Sequence, residues 1–260
     1  MGITLTYLGL IVLLPLTALA IHPWELGVGG VWRALTEDRV AAALKLSFSL
    51  SAYAALLNAP LGVLIAWVLV RYQFPGRRLL DALVDLPFAL PTAVAGIALT
   101  ALYAPTGPLG SALGKIGLKT AYSPLGIFIA LVFIGLPFVV RALQPVMEDL
   151  DREVDEAAQT LGARDWQRVF YVILPALAPA LISGVTLAFA RAVGEYGSVV
   201  FIAGNMPMKT EIAPLLIVIK LEQYDYAGAA AVGLAMVAIS FGALIVINAV
   251  QLLIAGRGRR

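Results

Sequence analysis

The chain has 260 residues, of which 61% are hydrophobic and only 13% charged, with a formal net charge of +2 and a mean hydropathy of +0.92. A soluble domain carries roughly 25% charged residues, so these values exclude a disordered chain, a nucleic-acid-binding domain and an ordinary cytosolic enzyme. They leave an integral membrane protein with several spans. No cysteine is present and His22 is the single histidine, which removes disulfides, thiolate chemistry and histidine-clustered metal sites.

A spanning helix needs roughly 20 mostly apolar residues, and six runs meet that need: 3–21, 40–70, 79–103, 123–140, 175–203 and 226–255. Residues 1–39 are read as a first spanning helix with an outer loop, 40–256 as a core of five spanning helices, and 257–260 as a basic tail. Ala18-Leu19-Ala20 resembles a signal-peptidase site, but no basic residue precedes the apolar run, as a signal peptide requires. The second run carries Lys45, Asn58 and Pro60, and Asn58 is expected to hydrogen-bond across helices. In the third, Asp81 and Asp85 share a helix face, and Arg77 stands four residues before Asp81, which permits a pair. Thr92, Thr100 and Ser198 are candidate cavity liners.

Six spans put both termini on one side. That side collects Arg71, Arg77, Arg78, Arg141, Arg152, Arg164, Arg168, Arg257, Arg259 and Arg260, against seven basic residues on the other. Basic loops stay inside, so both termini are expected in the cytoplasm. The nearest approach to an ATP-binding loop, Gly110 to Ile116, is one residue short and lacks the terminal Ser or Thr. The chain is therefore expected to bind no cofactor, and any ATP to be used by partner subunits.

The inner stretch around 143–174 is long and acidic. Helix-forming residues run to Leu161, and Gly162 is placed to end that helix. A second short helix follows, with Trp166 and Phe170 four apart on one face. Pro175 is expected to open the next span, in a first helical turn. Two short helices around a glycine turn, presenting aromatic side chains on one side of a membrane, call for a partner.

Glu156-Ala157-Ala158, three residues, Gly162, nine residues, then Val172-Ile173-Leu174-Pro175 resembles the EAA loop of ABC-transporter type I importer permeases. Val172 stands where that pattern has isoleucine. The resemblance implies an all-α fold of six transmembrane helices, with coupling helices between the fourth and fifth docking on a separate ATPase. Glu156, Ala157, Ala158, Gly162, Trp166, Leu174 and Pro175 are then the ATPase-coupling residues. The run from Asp81 to Gly96, the run Gly194-Glu195-Tyr196-Gly197-Ser198, Lys209 to Ile212, and Leu221 to Ala229 resemble sulfate and thiosulfate permeases. This implies import of a sulfate-class anion and three kinds of partner beside membrane lipid: a second homologous permease, an ATPase dimer and an extracytoplasmic sulfate/thiosulfate-binding protein, in a bacterial inner membrane. A molybdate or tungstate permease, an ATP-independent secondary transporter or channel, and a non-transporting membrane scaffold whose inner loop recruits a partner are the alternatives.

Arg191 and Glu195 fall within the fifth run, four residues apart. Charges inside a membrane usually face protein or a water-filled cavity. Two readings stand: Arg191 lines an anion path, or the two form a structural ion pair. Gly194 and Gly197 are expected to let another backbone approach closely.

Overall fold

A computed structural model describes residues 2, 6, 7, 9–150 and 158–257. Among these residues the secondary structure is helical, without strands. Five helical segments are long and apolar enough to cross a membrane. A sixth is counted if Thr92–Tyr103 and Pro108–Gly114, bent by 45° at a short break, act as one.

The N-terminal segment passes from a wide π turn, Gly9–Leu13, into α1, Leu14–Ile21. A 3-10 turn, His22–Leu26, then leads into α2, Gly27–Thr36. The loop expected after residue 21 is therefore helical. Pro23 sits in the first turn of that 3-10 segment, where its missing N–H costs nothing. The next helix, α3, Asp38–Arg71, has 34 residues. At 1.5 Å per residue it is about 50 Å long, which exceeds the ~30 Å hydrocarbon core and requires tilt or protruding ends.

The third expected span is not one helix. It divides into α4, Arg77–Val84, α5, Leu86–Ala89, and α6, Thr92–Tyr103. Leu90 is extended at φ −87° and ψ 135°, the conformation that a following proline, Pro91, imposes. After α7, Pro108–Gly114, the long α8, Pro124–Asp149, runs through the centre of the bundle. Its Ile127, Ala130, Val139, Val140 and Leu143 are fully shielded. α3 and α8 pack along each other, and α10, Leu174–Val193, lies against both.

The fifth expected span is also shorter than read. α10 ends at Val193, and the chain turns at 194–198 into the one-turn helix α11, Val199–Ile202. That return segment packs on α6 and α8, and the Ile202 carbonyl accepts the Tyr122 N–H at 2.7 Å. α12, Ala213–Glu222, packs on α3 and on the last helix, α13, Tyr226–Arg257. Asp225 caps α13: its Oδ1 accepts the Gly228 N–H at 2.9 Å, while Lys220 Nζ reaches Oδ2 at 3.0 Å. Burial works against that charge, but Lys220 and the Gly228 N–H outweigh it and hold the carboxyl below its ordinary range.

Candidate functional site

Two places collect the residues singled out in sequence: the glycine turn between α8 and α10, and the turn that follows α10. At the first, Glu156 and Ala157 lie outside the described residues. Ala158 opens the visible part, and the helix it belongs to ends in a Schellman motif. The Ala163 N–H reaches the Ala158 carbonyl at 3.0 Å, and the Gly162 N–H reaches the Gln159 carbonyl at 2.9 Å. Gly162 has φ +84°. Nothing lies within 4 Å of where its Cβ would stand, so the backbone angle, not space, demands glycine here.

Arg164 then starts a new helix, its N–H held by Gln167 Oε1 at 2.8 Å. This helix, α9, Asp165–Arg168, does not end before the membrane segment. It continues through a π turn, Val169–Ile173, directly into α10. Pro175 thus stands in a helical path already running rather than at a fresh start. A proline lacks the N–H for the preceding turn and crowds its carbonyl, and the widened turn just before Pro175 is where the ladder absorbs it. Trp166, Phe170 and Tyr171 are all exposed, with the Trp166 and Tyr171 rings 5.9 Å apart. Leu174 is half-buried and Pro175 exposed.

At the second place, Arg191 occupies the last turn of α10 and Glu195 the turn beyond it. Arg191 Nη1 donates to Glu195 Oε2. The other oxygen, Oε1, accepts the Ser198 N–H at 2.8 Å and its hydroxyl at 2.9 Å. Glu195 is buried and Arg191 one-third exposed. The carboxylate therefore fixes the 195–198 turn and one side of the guanidinium together. At Gly197 it is a side chain of α6, rather than a backbone, that comes closest: an added Cβ would stand 2.1 Å from Thr92 Oγ1. Gly96 admits a close approach from the other side, by the Ser198 backbone at 2.4 Å. Gly194 does not, since nothing lies within 4 Å of its Cβ position. It ends the helix instead of admitting a neighbour.

Of the cavity liners expected from sequence, Ser198 is buried, and Thr92 and Thr100 are half-buried. Ser198 is fully buried on Glu195, Thr100 donates to the Gly96 carbonyl at 2.8 Å, and Thr92 abuts Gly197. Asn58 is fully buried, and neither amide atom has a hydrogen-bond partner among the described residues. The expected cross-helix bond is not made, because the facing position is Gly135, whose added Cβ would meet Asn58 Nδ2 at 2.5 Å.

Asp81 and Asp85 pair with Arg141 of α8, not with Arg77. Arg141 Nε donates to Asp85 Oδ1 at 2.8 Å, and Nη1 to Asp81 Oδ1 at 2.7 Å. Nη2 binds Asp85 Oδ2 and the Asp81 carbonyl, and Gln144 closes the group at 3.2 Å from Asp81. The two carboxylates on one face signalled a cation, but a partner 56 residues away cannot be read from spacing. A second unforeseen clamp joins Arg39 to buried Glu211 through two bonds of 2.8 and 2.7 Å. It ties the start of α3 to the segment before α12.

Residues 58–260 match the family described as binding-protein-dependent transport system inner membrane component. The chain is 46% identical over 251 residues to the sulfate transport system permease protein CysT of Escherichia coli (strain K12), covering 96% of this chain and 91% of that protein. It is 47% identical over 249 residues to the like-named protein of Synechocystis sp., covering 96% and 87%. Among solved structures, it resembles a chain in a bacterial alginate ABC transporter bound to its alginate-loaded periplasmic protein. The TM-score is 0.76 at 18% identity, covering 94% of this chain and 90% of that one. At that identity the likeness concerns the fold alone.

Proposed function

The chain belongs to the family of binding-protein-dependent transport system inner membrane components, and on that premise we propose that it is the translocation subunit of an ATP-driven importer of sulfate and thiosulfate. It is a multi-pass membrane permease, not itself a catalytic enzyme. Sulfate is supported by the names of the relatives above, and thiosulfate is added by the resemblance of the motif runs. The partners are a second homologous permease, an ATPase dimer that supplies the ATP chemistry, and an extracytoplasmic binding protein that delivers the anion. Both termini and the Gly162 turn face the cytoplasm of a bacterial cell.

The observation that carries the mechanism is the unbroken helical path from the loop to the ion pair. Asp165 to Val193 is 29 residues, about 43 Å at helical rise. A load applied at the exposed Trp166 is delivered along this rod to the 194–198 turn, with the π turn at Val169–Ile173 as its most compliant point. The Schellman turn gives the loop a fixed shape through which ATPase closure acts. At the far end, Glu195 is unsuited to meet a dianion directly. Its role is to hold Arg191, whose side chain is one-third exposed and whose guanidinium binds Glu195 through Nη1; that guanidinium is the group offered to the anion. High-affinity recognition rests with the binding protein, because a tight site in the path would trap the ion.

The test is ATP-dependent uptake of labelled sulfate by the complete transporter in proteoliposomes, with molybdate as competitor. Gly162→Asp puts a Cβ and a negative charge at φ +84° and is expected to abolish uptake while the subunits still assemble. Uptake indifferent to ATP would overturn the coupling reading. Preference for molybdate would overturn the substrate.

A further inference from the structure

A groove of about 510 Å³ runs between α3 and the segment entering α10. Pro60, Leu64 and Trp67 line one wall, and Val169, Leu174 and Leu181 the other. Its lining residues are all apolar, and Leu64 and Val169 are exposed. Along α3 it extends from Ala59 to Trp67, about 12 Å at helical rise. That is close to half of the ~30 Å hydrocarbon thickness of a bilayer, one leaflet deep. Trp67 stands at the end nearest the Gly162 turn, at the level where tryptophans mark a membrane interface.

One turn beyond Trp67 comes Arg71, the last residue of α3. Its guanidinium carbon lies 5.4 Å from the Trp67 ring centroid. Nε and Nη2 are shielded from solvent and have no hydrogen-bond acceptor among the described residues. An ionised group with unpaired, desolvated donors is a costly arrangement. Arg141, Arg39 and Arg191 all have carboxylates; among the described residues Arg71 has an aromatic face and no anion. The occupant of this groove must therefore bring an apolar chain about one leaflet long and a negative group at the end beside Arg71.

We propose that this groove and Arg71 form a binding site for an anionic phospholipid of the leaflet adjoining the Gly162 turn, with an acyl chain along Leu64 and Leu174 and the phosphate on the guanidinium. This rests on the reading that the turn faces the cytoplasm, the side where anionic lipid concentrates. A segment of a second permease would cover the apolar walls but has no need of an anion at the Trp67 end.

Trp67 is its own reporter. The complete transporter is reconstituted in phosphatidylcholine nanodiscs, and chain-brominated phosphatidylglycerol or brominated phosphatidylcholine is titrated in. The Trp67 signal is the difference between wild type and Trp67→Phe. Phosphatidylglycerol is expected to quench it at about one-fifth of the mole fraction that phosphatidylcholine needs, the preference one surface cation confers. Arg71→Lys keeps the preference, and Arg71→Gln brings the two lipids together. Equal quenching in wild type, or a preference surviving in Arg71→Gln, overturns the site. Trp67 quenched by neither lipid overturns it in favour of a protein occupant. Sulfate uptake by the same proteins in proteoliposomes separates the two readings: intact ATP-driven uptake without lipid preference sinks only the lipid site, and the reverse sinks only the transport reading.

Discussion

Arginine meets carboxylate both at Arg191 and at Arg141, and the two sites differ in which partner is dry. The arginines are alike, 33% and 31% exposed, whereas Glu195 is 2% exposed and Asp81 and Asp85 are 44% and 46% exposed. Glu195 spends both oxygens within three or four residues, on Arg191 and Ser198, so it shapes one turn. Arg141 reaches partners about 60 residues away, so it fastens the broken third span to α8. The carboxylate's environment, not the arginine's, decides what each pair does. Dry and local, it fixes a conformation at high cost of loss. Wet and long-range, it joins two elements through contacts that solvent weakens.

The largest effect is expected at Glu195. Glu195→Ala strips the counter-charge from Arg191 and the acceptor from a buried Ser198 N–H. Breaking one side of such a pair costs about 3–5 kcal/mol, and the partial exposure of Arg191 favours the lower end. Thermal unfolding of the purified protein reads this directly. Glu195→Gln retains an acceptor for Ser198 and should lose clearly less. If the two variants unfold together, the carboxylate does not hold the turn.

Next comes the wall against which that turn is pressed. Gly197→Ala places a methyl 2.1 Å from Thr92 Oγ1, and such overpacking costs about 1–3 kcal/mol. Thr92→Ala removes the opposing oxygen, so the double variant should recover most of the loss. A double-mutant cycle on melting temperature measures the coupling. Additive losses would show that the clash is relieved by backbone movement, and that the 194–198 turn is less rigid than the dry pair implies.

These two clusters also mark where sequence reading succeeds and stops. The Gly162 turn is legible because its chemistry is local: a helix-forming run, then glycine where φ must be positive. The apolar spans are legible as composition. Hydropathy, however, does not distinguish residues buried in lipid from residues buried in protein. Val199 to Ile202 therefore extended the fifth span on paper, whereas in the fold Val199 and Ile202 are shielded by the protein itself. The third span looked continuous for the same reason, its breaks at Asp85 and Pro91 diluted among leucines and alanines. Arg191 and Glu195 were found because they are four apart on one helix path. Arg141 with Asp85, and Arg39 with Glu211, escaped because their pairing exists only once the chain has folded.

The smallest effect separates the two pairs most cleanly. Asp85 takes Arg141 Nε and Nη2, yet Asp81 still holds Nη1 and its carbonyl still faces Nη2. Asp85→Asn therefore leaves no orphaned guanidinium. With nearly half of each carboxylate in solvent, the loss should be no more than about 1 kcal/mol. Salt supplies the second axis. The Debye length falls from about 10 Å at 0.1 M to about 3 Å at 1 M, so added salt screens an exposed pair far more than a buried one. Raising salt over that range should shrink the difference between wild type and Asp85→Asn towards zero, and should leave the difference between wild type and Glu195→Ala nearly unchanged. An Asp85→Asn loss as large as that at Glu195, or one that salt does not move, would mean the Arg141 clamp is as dry in the assembled transporter as the Arg191 pair. The distinction between a pair that shapes a turn and a pair that joins two elements would then fall.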